Sequence, residues 1–155
     1  MKIILSEDKK QILVDDDVFN DLKGYSWSLL NTGYAYRREM IEKVNHQYTL
    51  HRLVVGAIKG DEVDHINGNK LDNRRSNLRL VTHQQNMRNR SSKANKYGYK
   101  GINKTPNGRY YACIRLGKGK AIKSTRCNTP LEAAALYNEL AKKYFGEYAR
   151  LNVLP

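Results

Sequence analysis

No run of 18 apolar residues occurs in the 155-residue chain, so no membrane-spanning helix is expected. The opening stretch, MKIILSEDKK, is apolar over too few positions to act as a secretory signal. Cysteine is scarce: Cys113 and Cys127 stand 14 positions apart, and no C-x-x-C pair occurs. A structural zinc site is therefore not expected, nor is a disulfide in a reducing compartment. An intracellular, soluble chain with no membrane partner is the expectation. The most telling absence is local: between Ser91 and Leu131 there are ten basic residues and no Asp or Glu.

What is present follows the same asymmetry. The formal charge is +13; residues 1–90 carry 15 Lys and Arg against 12 Asp and Glu, whereas residues 91–155 carry 13 against 3. A solvated surface ordinarily mixes signs, so a one-sign block interleaved with Tyr and Gly points to a polyanion partner. A basic disordered tail is the bland alternative, and the strand and helix periodicity of Tyr, Ile and Ala within the block argues against it. At 40% hydrophobic, the chain suits one domain or two small ones with compact cores.

Residues 1–45 read as a β-rich segment. Lys2-Ile3-Ile4-Leu5 and Gln11-Ile12-Leu13-Val14 are short apolar runs separated by a polar turn. Asp15-Asp16-Asp17 precedes one or two helical turns over Val18–Leu22 and reads as capping acid rather than a metal cluster. Trp27, Tyr34 and Tyr36 belong to a further strand pair turning at Asn31-Thr32-Gly33, with Trp27 as a core anchor. Leu50, Leu53 and Val54 have helical spacing, and Gly56 is a plausible stop. His51 on that helix reads as a structural histidine or one standing behind the catalytic groups; Arg52 is a candidate phosphate clamp.

The stretch from Val63 to Asn86 reads VDHINGNKLDNRRSNLRLVTHQQN. It opens with an adjacent Asp64-His65 pair, turns at Asn67-Gly68, passes Asn77, and alternates Leu78-Arg79-Leu80-Val81 before Thr82 and Asn86. Thr82 followed three residues later by Gln85 is a capping-box pattern, which starts a helix and puts Asn86 in its early turns. Adjacent residues on an ideal strand point to opposite faces. An acid, an imidazole and a carboxamide on flanking elements suit phosphodiester hydrolysis, which needs an activated water and neutralisation of developing charge. The stretch resembles the HNH nuclease motif, in the homing-endonuclease branch whose last position is Asn. The resemblance implies a ββα-metal core of two antiparallel strands and a helix, with Asp64 and His65 at a bend where both reach the cleft. It makes His65 the general base, Asp64 and Asn86 the ligands of one divalent metal ion, and Asn77 the brace of the loop. Magnesium is the expected ion, with manganese as the alternative, because the donors are few and all oxygen. His83, three residues before Asn86, is an alternative ligand. Arg74, Arg75 and Arg79 are candidate phosphate contacts, some of which can instead pair with Asp72.

Residues 88–97, RNRSSKANKY, are basic and nearly free of aliphatics, and 91–97 read as a linker. Beyond it, Tyr99–Ile102 and Arg109–Arg115 form two strands around a Pro106-Asn107-Gly108 turn; Gly117–Lys120 is a second turn, and Ala121–Cys127 a third strand. Alternation puts Tyr110, Ala112 and Ile114 on one face and Arg109, Tyr111, Cys113 and Arg115 on the other. Thr129-Pro130-Leu131-Glu132 is a capping box with Pro at the first helical position, and Gly146 ends the helix. Tyr-Lys-Gly-Ile, Gly-Arg-Tyr-Tyr-Ala-Cys-Ile-Arg, Glu-Ala-Ala-Ala-x-Tyr-Asn and the closing Phe145-Gly146-x-Tyr148-Ala149-x-Leu151-Asn152 together resemble the Apetala-two, or ethylene-response-factor, DNA-binding domain. The resemblance implies that the exposed sheet face enters the major groove. Lys100, Asn103, Thr105, Asn107, Arg115 and Lys123 match family contact positions, and Arg109, Tyr111 and Lys120 of the same sheet join them as expected DNA contacts. Several of these hold Asn, Thr or Lys where Arg or Trp is usual, and Tyr110 replaces a packing Trp or Phe, so the plant family's target sequence does not transfer.

The resulting expectation is an α+β protein. Residues 1–90 form the endonuclease domain, with the ββα-metal core at about 46–90; 98–155 form a three-stranded antiparallel sheet with one C-terminal helix. A monomeric, site-specific endonuclease acting on double-stranded DNA is expected, leaving 5′-phosphate and 3′-hydroxyl ends. Such enzymes are typically carried by phages or mobile introns, which implies a bacterial cytoplasm. A DNA-binding regulator that keeps the nuclease fold without cutting is the alternative, disfavoured by the intact Asp64, His65, Asn77 and Asn86. An RNA-binding module is weaker still, for want of an aromatic-rich exposed sheet motif.

Overall fold

The first two apolar runs are equal in length, and their separation by a polar turn lets them pair. In the computed structural model, which describes residues 1–89, 96–117 and 119–155, β1 (Lys2–Leu5) runs antiparallel to β2 (Gln11–Val14). Helix α1 (Asp16–Leu22) follows, with Asp16 and Asp17 in its first turn, where carboxylates suit the positive helix end. Strands β3 (Ser28–Leu29), β4 (Ala35–Ile41) and β5 (Val44–Thr49) form an antiparallel sheet in that order. Helix α2 (Leu50–Val54) then leads to Gly56, whose φ of 62° ends it. Strands β6 (Glu62–His65) and β7 (Leu78–Val81) pair antiparallel, and helix α3 (His83–Asn89) starts directly after Thr82.

The chain divides into two compact units, Met1–His83 and Gln84–Pro155, so the division falls inside α3. The core of the first unit gathers buried residues from β1, β2, α1, β4, α2, β6 and β7, with Trp27 just before β3: Ile4, Ile12, Val14, Val18, Trp27, Ala35, Leu50, Val54, Val63 and Leu78. Trp27 is fully buried at its centre, and its indole N–H donates to Leu22 O at 3.2 Å, which satisfies the one polar atom the ring brings inside. Strand β2 also reaches the loop between β6 and β7. Leu13 N–H donates to Leu71 O and Asn73 N–H to Leu13 O, both at 2.8 Å.

In the second unit, β8 (Ile102–Lys104), β9 (Tyr110–Gly117) and β10 (Lys120–Lys123) form an antiparallel sheet with β9 central. Helix α4 (Pro130–Phe145) lays Ala133, Ala134, Tyr137, Ala141 and Phe145 into a core shared with Ile102, Ala112 and Ile114. The alanines let the helix lie close to the sheet. Thr129 Oγ1 accepts from Glu132 N–H at 3.2 Å, and the Glu132 carboxylate accepts from Asn128 N–H at 3.1 Å; together they satisfy donors that the first helical turn leaves open. The third strand is shorter than the expected 121–127. Ala112 N–H donates to the Ser124 hydroxyl instead of a backbone carbonyl, and pairing resumes only at the Tyr110–Cys127 bridge. Lys118, within the expected second turn, and 91–95 of the expected linker lie outside the described residues.

The fold is thus mixed α and β, with several small sheets and four α-helices among the described residues. None of those helices is long and apolar enough to cross a membrane.

Candidate active site

The β6–β7 hairpin carries the polar constellation of the first unit. Its register pairs Asp64 with Arg79 and His65 with Leu78, so the acid and the imidazole emerge on opposite faces, as an ordinary strand requires. The expected bend falls after the pair rather than at it, where Gly68 N–H closes a turn on His65 O at 2.8 Å. Both side chains are buried, Asp64 to 7% and His65 to 4% exposure. Arg79 donates twice to Asp64 Oδ2, from Nε at 3.0 Å and Nη2 at 2.8 Å. A buried carboxylate needs such a countercharge.

Asn77 lies in a 3-10 turn, Arg75–Asn77, and its carboxamide spans the loop. Its Oδ1 accepts from Asn67 N–H at 3.0 Å, and its Nδ2 donates to Asn67 Oδ1 at 3.0 Å and Asp72 O at 2.8 Å. Asp72, also buried, is gripped by Arg74 through Nε at 2.7 Å and Nη2 at 2.6 Å. That guanidinium holds the Asp72 carboxyl below the usual carboxylate range.

His65 has two ring neighbours, the buried His51 and the half-buried Tyr34. The His51 ring lies 5.4 Å from it and the Tyr34 ring 5.8 Å, centroid to centroid. Burial pushes the His65 pKa below the ordinary histidine value; the Asn73 hydrogen bond and the Asp64 charge oppose that shift. An imidazole in its neutral form can accept a proton. His51 is lowered further, to about 4, by burial first and then by the charges of His65 and Arg52. Tyr34 is pushed the other way by burial and by Asp64.

The depressed His51 pKa makes stability pH-dependent. The unfolded chain takes up a proton near 6.5 and the folded chain only near 4, so the contribution of neutral His51 is complete above 6.5. It is lost as pH falls toward 4, and it amounts to about 3 kcal/mol. The Asp72 contribution is lost only below its ordinary value of 3.8, outside that window. Denaturant midpoints measured between pH 7 and 4 should fall for the natural chain and fall less for His51→Gln, where the lowered pKa of His65 still acts in the same direction. A flat profile in the natural chain would refute the assignment of a buried neutral His51.

The arginines expected to meet phosphate are engaged inside the first unit. Arg52 donates to Ile58 O at 2.6 Å and Asp61 O at 2.7 Å, tying the loop after α2. Arg74 and Arg79 serve Asp72 and Asp64, while the half-exposed Arg75 pairs with Asp17 at 2.5 Å. His83, the alternative ligand, meets Glu62 at 2.7 Å through Nδ1. What sequence reading missed is Asn73, 1% exposed, whose Oδ1 lies 3.3 Å from His65 Nε2.

Asn86 sits on α3 and belongs to the second unit. There the helix is held by Gln84 Nε2 on Leu116 O at 2.9 Å, by the Arg88 guanidinium over the Phe145 ring, and by Lys100 Nζ on Arg88 O at 2.8 Å. Lys100, expected at DNA, is thus engaged with a helix carbonyl; burial and the Arg150 charge lower its pKa to about 8. Thr105 is taken up by its turn, its hydroxyl accepting from Arg109 N–H at 3.1 Å. Asn103, Asn107, Arg109, Arg115, Lys120 and Lys123 are exposed. Register and alternation put Asn103, Tyr111, Arg115 and Lys123 on the sheet face away from α4, with Lys123 Nζ 5.6 Å from the Tyr111 ring centroid.

Among the described residues, no three His, Cys, Asp or Glu side chains gather as a metal cage. The oxygen donor that the first unit offers is the buried Asp64 carboxylate, which already faces the Arg79 cation; a hard, oxygen-seeking divalent ion suits such a donor.

Residues 48–88 match the HNH endonuclease family model. An uncharacterised HNH endonuclease of Acanthamoeba polyphaga mimivirus is 36% identical over 129 residues, covering 83% of this chain and 67% of the viral one. No solved structure gives a significant match.

Proposed function

The chain belongs to the HNH endonuclease family, and from that membership we propose that it is a metal-dependent, site-specific DNA endonuclease of the homing type. The observation that carries the reading is a buried acid and a buried imidazole at successive positions of β6, Asp64 and His65, with burial pushing the imidazole's pKa below the ordinary histidine value. In this reading His65 takes the proton from the water that attacks the scissile phosphorus. Asp64 and Asn86 would hold one magnesium ion, with manganese as a substitute and His83 as the alternative ligand. When bound, that ion supplies charge stabilisation at the phosphoryl oxygens and the departing 3′ oxygen. Asn77 keeps the loop rigid, so that His65 and Asp64 hold their orientation. The ββα-metal arrangement is part of this proposal, as are a monomeric state and products with 5′-phosphate and 3′-hydroxyl ends. Carriage by a phage or mobile intron, and with it a bacterial cytoplasm, belongs to the same proposal; the viral relative supports a viral origin.

Changing either ligand tests the metal role. Asp64→Ala should abolish magnesium-dependent cutting of duplex DNA, and Asn86→Ala should do so at low magnesium with partial rescue by excess ion, since a carboxamide is the weaker ligand. Undiminished cutting by Asp64→Ala would refute the site.

We further propose that residues 98–155 are an Apetala-two-like DNA-binding domain joined through the basic segment 91–97 to a nuclease domain of residues 1–90. The acid-free run from Ser91 to Leu131 and the Tyr111–Arg115–Lys123 sheet face support this. If roughly six phosphates are neutralised, log affinity should fall against log salt with a slope of about −5. Arg115→Ala should cost about 1–3 kcal/mol of discrimination at one base pair if the arginine reads a base edge. Equal losses on specific and random duplexes would instead make Arg115 a phosphate contact.

A further inference from the structure

Asn73 lies eight residues beyond His65 and holds none of the motif's named positions, yet it is among the most deeply buried side chains of the chain. A buried carboxamide must find an acceptor for its amino group and a donor for its oxygen. Asn73 Nδ2 donates to Lys70 O at 3.4 Å. A backbone carbonyl only accepts, so the amide nitrogen faces Lys70 and Oδ1 faces the other way, where His65 Nε2 lies 3.3 Å off. Oδ1 also only accepts, so the proton of this contact belongs to Nε2. A neutral imidazole carries one N–H and one lone pair, which leaves the lone pair on Nδ1. The residue that imposes this is itself fixed from outside the motif, because Asn73 N–H donates to Leu13 O and the adjacent Asp72 forms a parallel bridge with Leu13 of strand β2.

We infer that Asn73, held by the N-terminal hairpin, is a positioning residue that fixes His65 in its Nε2–H tautomer, so that Nδ1 is the atom that accepts the proton of the attacking water. The inference rests on the reading of His65 as general base and deepens it. It also gives the β1–β2 hairpin a role at the site: the hairpin supplies the backbone partner that orients Asn73.

Two-bond ¹H–¹⁵N spectra of the full chain labelled at histidine, recorded above pH 7 without DNA or metal, read the tautomer directly. His65 signals are assigned by difference against His65→Gln. The expected result is a single Nε2–H form in the natural chain, a tautomer mixture in Asn73→Leu, and the Nε2–H form again in Asn73→Asp, which keeps an acceptor oxygen. In single-turnover cleavage, Asn73→Leu should be slowed about 10–100-fold, as for other residues that orient a reacting histidine, with DNA affinity unchanged and most of the rate restored in Asn73→Asp. A proton on Nδ1, or free exchange between tautomers, in the natural chain would overturn the inference, and that reading needs no variant to fold. A folded Asn73→Leu that keeps both tautomer and rate would overturn it as well. The spectrum is taken without substrate, so wild-type cutting by His65→Ala would remove the general-base reading while leaving the tautomer assignment standing.

Discussion

His65→Ala is expected to slow DNA cleavage by about 10²–10⁴-fold, the range for loss of a positioned general base. Affinity for uncut duplex should change little. His65 is only 4% exposed, and the cations proposed to hold DNA are carried elsewhere. The substitution also removes the partner of Asn73 Oδ1 and the ring beside Tyr34 and His51. Leaving a buried acceptor unmet costs about 1–3 kcal/mol, so a loss of rate has to be separated from a loss of fold. Single-turnover rates at saturating DNA, measured well below the variant's own melting temperature, make that separation. His65→Gln fills the site better and should be nearly as slow, since a carboxamide cannot take up a proton. A His65→Gln variant cutting at the wild-type rate would remove His65 from the mechanism.

Gly101→Ala is expected to cost the second unit a large part of its stability. Gly101 has a φ of +75°, and a Cβ there would lie 2.3 Å from Cδ2 and Cε2 of Tyr137 and 3.0 Å from Cys113 O. The left-handed backbone costs a non-glycine residue roughly 1–2 kcal/mol. Displacing Tyr137, which is 2% exposed in the core beneath the sheet, adds roughly 1–3 kcal/mol. For a unit of this size the whole stability is of the order of 4–11 kcal/mol, so the sum decides whether it stays folded. Tyr137 is an internal reporter: burial holds its phenol at about 12, and a loosened unit should let it titrate nearer 10. A Gly101→Ala melting transition equal to the natural one, with Tyr137 unchanged, would contradict the close approach.

Local patterns announced much of this. The Thr129–Glu132 capping box, the Gly146 stop and the alternating faces from Tyr110 to Arg115 depend on residues a few positions apart, and each side chain sits where its chemistry directs. The spacing from Asp64 to Asn86 likewise carried the resemblance to the HNH endonuclease family, whose model matches residues 48–88. What the sequence hid is set by partners far apart. Asn73 becomes an orienting group only because Leu13, 60 positions earlier, accepts from its backbone, and no periodicity encodes that. The loop arginines look free in sequence, yet Arg79 faces Asp64 through strand register and Arg75 reaches Asp17 across 58 positions. Lys100 reads as a surface cation in a basic block, but folding buries its stem and seats its ammonium on Arg88 O. The third strand stopped early for a related reason: a serine hydroxyl can take a backbone acceptor's place in a ladder, and Ser124 does so.

We propose that this chain cuts DNA with a metal ion held at Asp64. It is tested most directly by incubating the full chain with a genomic DNA library and magnesium, alongside a chelated control and Asp64→Ala, and sequencing every new end. The expected ends cluster at one or a few sequences, carry 5′-phosphate and 3′-hydroxyl groups, and are present with magnesium and absent from both controls. Ends that persist under chelation or in Asp64→Ala, or tight sequence-specific binding with no new ends at all, would contradict it.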